Sequence, residues 1–253
     1  MQAYGHSFAY VYNLRWNGFA RGAAPALLAY YAATPLGQAR QPVLDLCCGS
    51  GILAASFLEQ GYPVTGLDLS APMLAYARAN TAGFTAAGQA AYFQADAARF
   101  ALAPLFGLAV ATYDALNHLP DAAALRGCLR STANALQPGG TMLFDLNTRR
   151  GLQRWNGTIV DDNEAALVIT RGNYDGAGDR ATLHVTGFVP MGGGAYERFD
   201  ESIYNSVFDI QSVLWWAQAE GFAAAHAARL EDLDKPLAEP EAEGRVFVVA
   251  RRE

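Results

Sequence analysis

Residues 43–68 constrain this chain more than any other stretch. Val43-Leu44-Asp45-Leu46 is a short apolar run carrying one carboxylate, and Cys47-Cys48-Gly49-Ser50-Gly51 follows it as a turn. Ile52 to Glu59 has the apolar spacing of a helix face, and Gly61 stands just past its end, where a left-handed cap belongs. Pro63 to Leu67 reads as a second strand, ended by Asp68. Together these make one βαβ unit with a ligand crevice at its strand ends. Glycines at 49 and 51 let backbone N–H groups come close to a ligand, and the helix N-terminus behind them favours negative charge. Asp68 can accept from both hydroxyls of a ribose. Asp45 can orient the turn and, through water, face an ammonium group.

The glycines alone do not choose a ligand. Gly49-x-Gly51-x-x-Ala54 fits the dinucleotide fingerprint, with Asp68 near the right distance. The larger pattern Asp45-x-Cys47-x-Gly49-x-Gly51, then Asp68, resembles the class I S-adenosylmethionine (SAM)-dependent methyltransferases. Their usual motif is acid-x-Gly-x-Gly-x-Gly, and Cys47 replaces the first glycine. An acid inside the first strand favours this resemblance, because dinucleotide folds usually keep that strand apolar.

The resemblance continues in order. Ser70 is a good N-cap with Pro72 in the first helical turn, and Ser70-x-x-Met73 is similar to the family segment whose Met lies against the adenine. Leu69, between Asp68 and Ser70, joins them in the implied cofactor site. Ala91 to Gln94 reads as a third strand. In the family an acid just after it accepts the adenine amino group, and the next backbone N–H reaches a ring nitrogen. Asp96 and Ala97 match those positions. Gly107 to Thr112 is the fourth strand. The run after it, Tyr113-Asp114-Ala115-Leu116-Asn117-His118-Leu119, resembles the Tyr-Asp-x-Leu-Asn-x-Leu of methyltransferases that act on small amines and natural products. The Asn/Asp-Pro-Pro-aromatic motif of nucleic-acid and protein-glutamine methylases is absent. Tyr113 is assigned to the cofactor site.

Upstream, Phe8-Ala9-Tyr10-Val11-Tyr12-Asn13 is similar to a Phe-Ala-x-x-Tyr-Asp segment of many small-molecule methyltransferases, in which the tyrosine hydroxyl points at the reacting centre. Tyr12 matches that tyrosine. Residues 1–40 are expected to form a helical lid, with the aromatic run Tyr4 to Phe19 over the cofactor and a second helix from Pro25 to Thr34. His118 and Tyr12 are the expected catalytic residues. Histidine is the side chain whose ordinary charge change falls near neutral pH, so His118 could take a proton from an acceptor.

Downstream, Asp121 can cap a helix to about Leu136, and Pro138-Gly139-Gly140 turns into a fifth strand, Thr141 to Leu146. After Arg150 the pattern changes. Three strands, Ala165 to Arg171, Thr182 to Val189 and Glu197 to Tyr204, form an antiparallel insertion over residues 151–207. That stretch carries eight acids against four arginines and no lysine, a local charge of about −4. Asp209 caps a further helix. Ala223 to Arg229 and Arg245 to Arg251 supply the last two strands as a hairpin.

The expected fold is α/β: the resemblance implies a Rossmann-like seven-stranded sheet of order 3-2-1-4-5-7-6, with strand 7 antiparallel, and the strand pattern adds an antiparallel β insertion after strand 5. A single domain fits the 253 residues, 52% of them hydrophobic. The net charge of −6 disfavours nucleic acid. No apolar run reaches membrane-spanning length. The three cysteines, two of them adjacent, read as reduced thiols in a cytoplasmic protein. No metal site is expected. The implied cofactor is SAM, the implied partner a small-molecule acceptor, with amine N-methylation as the finer expectation. The insertion is where a homodimer could form. Two alternatives stay open: a nicotinamide-dependent oxidoreductase, and a catalytically silent SAM-binding module.

Overall fold

The computed structural model describes residues 4–253, so the first three residues of the expected 1–40 lid lie outside the described part. The fold begins with helices α1 (His6–Arg15), α2 (Gly18–Ala33) and α3 (Pro35–Gln38). A βα series follows: β1 (Val43–Leu46), α4 (Ile52–Glu59), β2 (Val64–Asp68), α5 (Ala71–Asn80), α6 (Ala82–Ala86), β3 (Ala90–Gln94), β4 (Phe106–Ala111), α7 (Ala122–Ala135) and β5 (Leu136–Asn147). Helix α8 (Arg149–Leu152) leads into a separate four-stranded sheet of β6 (Gly157–Asn163), β7 (Ala166–Asp175), β8 (Arg180–Gly192) and β9 (Ala195–Ser206). Helix α9 (Ile210–Ala219) and strands β10 (Ala224–Ala228) and β11 (Arg245–Arg251) complete the chain.

The main sheet runs β3-β2-β1-β4-β5-β11-β10. Its first five strands are parallel to their neighbours, and β11 is antiparallel to both β5 and β10. This is the order expected from the sequence. All four residues of β1 and all six of β4 are buried, as central parallel strands covered on both faces must be. One face is covered by α2, α4 and α5 through Leu27, Tyr31, Leu53, Phe57 and Leu74. The other is covered by α7 and α9 through Leu125, Leu129, Ile210 and Val213. A third apolar cluster joins Phe8 and Val11 of α1 to Met73 of α5 and to Val168, Val185 and Val189 of the small sheet. It fastens α1 and the β insertion together above the carboxyl ends of the main strands.

Two local expectations are corrected. The second helix starts at Gly18, and Pro25 lies inside it. Pro25 and Arg21, whose carbonyl loses its helical partner, both face solvent, where water can satisfy that carbonyl. The insertion has four strands, because Gly157–Asn163 is a strand as well. It is an exposed edge strand with two adjacent acids, so no alternation of apolar and polar residues marks it.

Candidate active site

The turn after β1 is built on unusual backbone angles. Cys47 (φ 54°), Gly49 (φ 52°) and Gly51 (φ 74°) are all left-handed. A Cβ on Gly51 would stand 3.0 Å from Ala77 Cα, so no side chain fits there. A Cβ on Gly49 would meet the Tyr12 ring at 3.7 Å, which shows how closely α1 crosses the glycine turn. Asp68 closes the same corner. Its Oδ2 accepts from Gly49 N–H at 2.9 Å and its Oδ1 from Ser70 N–H at 2.8 Å. Burial raises the Asp68 pKa, and these backbone donors pull it back.

A cavity of about 450 Å³ opens beside this corner, in the range of ligand pockets. It is lined by Cys47, Gly49, Asp68, Leu69, Met73 and Ala97. Tyr12, Tyr113 and His118 line the same cavity. Tyr4, Phe8, Tyr12 and Trp16, spaced four residues apart, line it, with Phe8 and Tyr12 on α1 and the other two flanking its ends. Three expected site residues are not on this lining. Gly51 starts α4 against Ala77. Asp96 holds the next turn, its Oδ1 accepting from Ala98 N–H at 2.9 Å. Asp45 lies beneath the glycine turn, beside a small pocket of about 30 Å³ shared with Tyr12, Trp16 and Asn17. That is room for about one water.

Asp45 Oδ2 is buried and has no hydrogen-bond partner in the protein. Burial, with Asp68 nearby, pushes its pKa up to about 8. An orphaned carboxylate oxygen at the glycine turn suits a cationic group such as the ammonium of SAM. The donor and acceptor set thus fits that cofactor: carboxylates for hydroxyls and ammonium, backbone N–H groups at the turn, and apolar Leu69 and Met73 for a flat base. Cys47 faces the same space as a neutral thiol, since burial holds its pKa well above the usual range.

His118 lies in the short helical turn Ala115–His118 after β4. Its Nδ1 is 2.8 Å from the Tyr204 carbonyl of β9. A carbonyl only accepts, so Nδ1 carries a hydrogen, which in the neutral imidazole leaves the lone pair on Nε2. Behind this loop stands a charged group that sequence reasoning missed. Tyr113 (φ 66°) and Asp114 (φ 50°) are consecutive left-handed residues, a strained arrangement for residues with side chains. Asp114 N–H donates to Asp145 Oδ2 at 2.9 Å, and Arg245 from β11 pairs with Asp114 at 2.7 Å and with Asp145. The guanidinium also lies 4.6 Å above the Phe19 ring, which stacks on Tyr113. Burial pushes Asp145 up to about 6, and Arg245 opposes the shift. Glu201, Tyr204 and the Asp114–Asp145–Arg245 group had no role assigned from the sequence. Tyr4 was placed only in the aromatic lid, and the four-residue spacing of Tyr4, Phe8, Tyr12 and Trp16 is the signal that puts it on the cavity wall.

A doubly covered 3-2-1-4-5-7-6 sheet with this acid and glycine corner defines the class I methyltransferase architecture. Residues 43–140 match the family model described as "Methyltransferase domain". The chain is 27% identical over 172 residues to a "Putative methyltransferase YqeM" of Bacillus subtilis, covering 67% of this chain and 68% of that one. It is 33% identical over 152 residues to a "Ubiquinone biosynthesis O-methyltransferase" of Sodalis glossinidius, covering 60% of this chain and 59% of that one. The solved structure of the sugar N-methyltransferase KedS8 from Streptoalloteichus has the same fold, with a TM-score of 0.75 at 22% identity, over 100% of this chain and 97% of that one. Residues 43–140 belong to the methyltransferase-domain family, and the chain is a SAM-dependent small-molecule methyltransferase with the class I fold. The nicotinamide and catalytically silent readings are thereby set aside. Among the described residues, no helix is long and apolar enough to cross a membrane.

Proposed function

We propose that the enzyme N-methylates a small amine, with His118 as the base that takes the proton from the acceptor. The observation that carries this reading is the 2.8 Å contact between His118 Nδ1 and the Tyr204 carbonyl, which leaves Nε2 as the acceptor at a residue lining the cavity. An amine must give up its proton as it becomes a nucleophile, and a positioned imidazole is suited to receive it. The acidic lining supports a cationic acceptor: Asp68, Asp114 and Glu201 surround the same space. The O-methyltransferase among the relatives keeps a hydroxyl acceptor as the second reading, since the same Nε2 could serve a hydroxyl.

SAM supplies an already activated methyl group, so the protein's main work is positioning. Asp68 would hold the ribose, Asp45 the ammonium directly or through one water, and Asp96 with the Ala97 N–H the adenine edge. Gly49 and Gly51 would keep the turn close to the cofactor, Cys47, Leu69 and Met73 would flank it, and Tyr12 and Tyr113 would close the reacting end. Burial, and the neighbouring Tyr4, keep the Tyr12 phenol neutral, with its pKa well above the usual value. It would therefore serve as a hydrogen-bond donor or a lone-pair contact and not as a base. Residues 1–40 would act as a lid and residues 151–207 as a cap within one cytoplasmic methyltransferase domain.

The test is incubation with SAM and a panel of primary amines and matched alcohols, with products read by mass. Methylated amines support the reading; methylated alcohols alone replace it with O-methylation.

A further inference from the structure

We propose that the acceptor site continues along the inner face of the cap as an apolar shelf, Trp155, Ile159, Thr170 and Leu183, and that the acceptor carries an uncharged aliphatic or aromatic body with no phosphate or carboxylate. This rests on the amine reading for the reacting end, and it specifies what the rest of the molecule is.

The register of the small sheet builds the shelf. Ile159, Thr170, Val185 and Glu201 stand side by side on β6, β7, β8 and β9. Gly157, Gly172, Leu183 and Ile203 form the next row. A Cβ on Gly172 would meet the Trp155 carbonyl oxygen at 1.8 Å, so this glycine is what lets the Trp155 segment lie against the sheet. Trp155, Ile159, Thr170, Leu183, Val185 and Ile203 all line the same cavity as His118 and Tyr12. The face grades from an acid end to an apolar end. Glu201, which accepts from Gly5 N–H at 3.0 Å, lies toward α1, and Ile159 lies at the opposite, outer edge. Ile159 is 69% exposed although it lines the cavity. A large aliphatic side chain left open at a cavity mouth marks a surface that an apolar ligand covers.

Charge decides what that ligand lacks. The lining holds four carboxylates, Asp68, Asp114, Asp161 and Glu201, and one guanidinium, Arg245. Arg245 is committed to Asp114 and Asp145. Arg15, outside the lining, pairs with the lining residue Asp161 at 2.9 Å and donates also to Asn163 and the Ala166 carbonyl, while its buried Nε is left without a partner. A phosphate or carboxylate on the shelf would meet like charges with no uncommitted cation among the lining residues, which excludes anionic acceptors by repulsion and desolvation.

The test measures binding to enzyme saturated with S-adenosylhomocysteine, by calorimetry, with four probes: phenethylamine, ethylamine, phenethyl alcohol and 4-(2-aminoethyl)benzoate. Phenethylamine is expected to bind at least about tenfold tighter than ethylamine, because the shelf buries its ring. The aminoethylbenzoate, the same amine with a carboxylate at the far end of its ring, is expected to bind at least about tenfold weaker than phenethylamine. Leu183→Ala should weaken phenethylamine about 5- to 20-fold and leave ethylamine unchanged. Ile159→Lys, at an exposed position that tolerates the change, should narrow or reverse the preference against the aminoethylbenzoate. If phenethyl alcohol shows the Leu183 dependence and no amine binds, the amine reading fails and the shelf stands. If the aminoethylbenzoate binds as well as phenethylamine, or if no probe depends on Leu183, the shelf proposal is overturned.

Discussion

The Tyr204 carbonyl lies 2.8 Å from Nδ1 of His118, 86 residues away in sequence. Strand β9 of the cap thereby sets the tautomer of a side chain carried by the loop after β4. If His118 is the base, His118→Asn should lower turnover by about 10²–10⁴ at neutral pH, and raising the pH should partly rescue an amine substrate. Cofactor affinity should change little. Near-normal turnover across the pH range would leave a catalyst that works by positioning alone.

Asp68 accepts from both Gly49 and Ser70 while facing the cavity. Asp68→Ala removes the proposed ribose acceptor, and hydrogen bonds to a charged group are worth roughly 1.5–3 kcal/mol each. SAM affinity measured by calorimetry should fall at least about tenfold, with the far-ultraviolet circular dichroism unchanged.

Asp45, with its pKa near 8, is largely protonated at pH 7. A bound ammonium favours its ionised form, so S-adenosylhomocysteine binding at pH 7 should release on the order of one proton. Calorimetry in buffers of different ionisation enthalpy reads this directly, and Asp45→Asn should abolish it. The sign for stability is the opposite of the usual carboxylate case. The folded-state pKa lies above the unfolded value, so this residue costs stability progressively as pH rises from about 4 to 8. Asp45→Asn should therefore raise the melting temperature of the ligand-free enzyme most above pH 8.

Arg245→Ala leaves Asp114 and Asp145 buried without their cation. Breaking such a pair costs about 3–5 kcal/mol. The loss should be larger at pH 8 than at pH 5, because Asp145, with its pKa near 6, can neutralise itself by protonation at the lower pH. Thermal unfolding of the variant at the two pH values checks this.

Helix α1 is tied to the cap at both ends: Gly5 and Ser7 to Glu201 and Glu197, and Arg15 to Asp161, Asn163 and Ala166. If this segment closes over the cofactor, it moves with the cap. Amides of Tyr4–Phe19 and of β9 should gain protection from hydrogen exchange together when S-adenosylhomocysteine binds. Unchanged exchange in both would make α1 a packing helix.

What the sequence determined by itself is the set of elements in the main sheet and the acid-and-glycine corner after its first strand. Asp45, Gly49, Gly51 and Asp68 sit within one short βαβ unit, where strand length, glycine placement and helix spacing are local properties that the residues state directly. The strand order came from the family resemblance those motifs carry, since local signals mark strands but not which of them pair. Edge strand β6 was lost because a strand exposed along its whole length needs no apolar alternation. Tertiary structure alone decided the reacting end. Arg245 meets Asp114 across 131 residues, and nothing near either residue announces the pair. His118 takes its tautomer from a backbone carbonyl, which every residue carries and no side chain marks. The shelf depends on which faces of four strands turn inward, and that is set by strand pairing and by the docking of α1 through Phe8 and Val11, not by any local pattern.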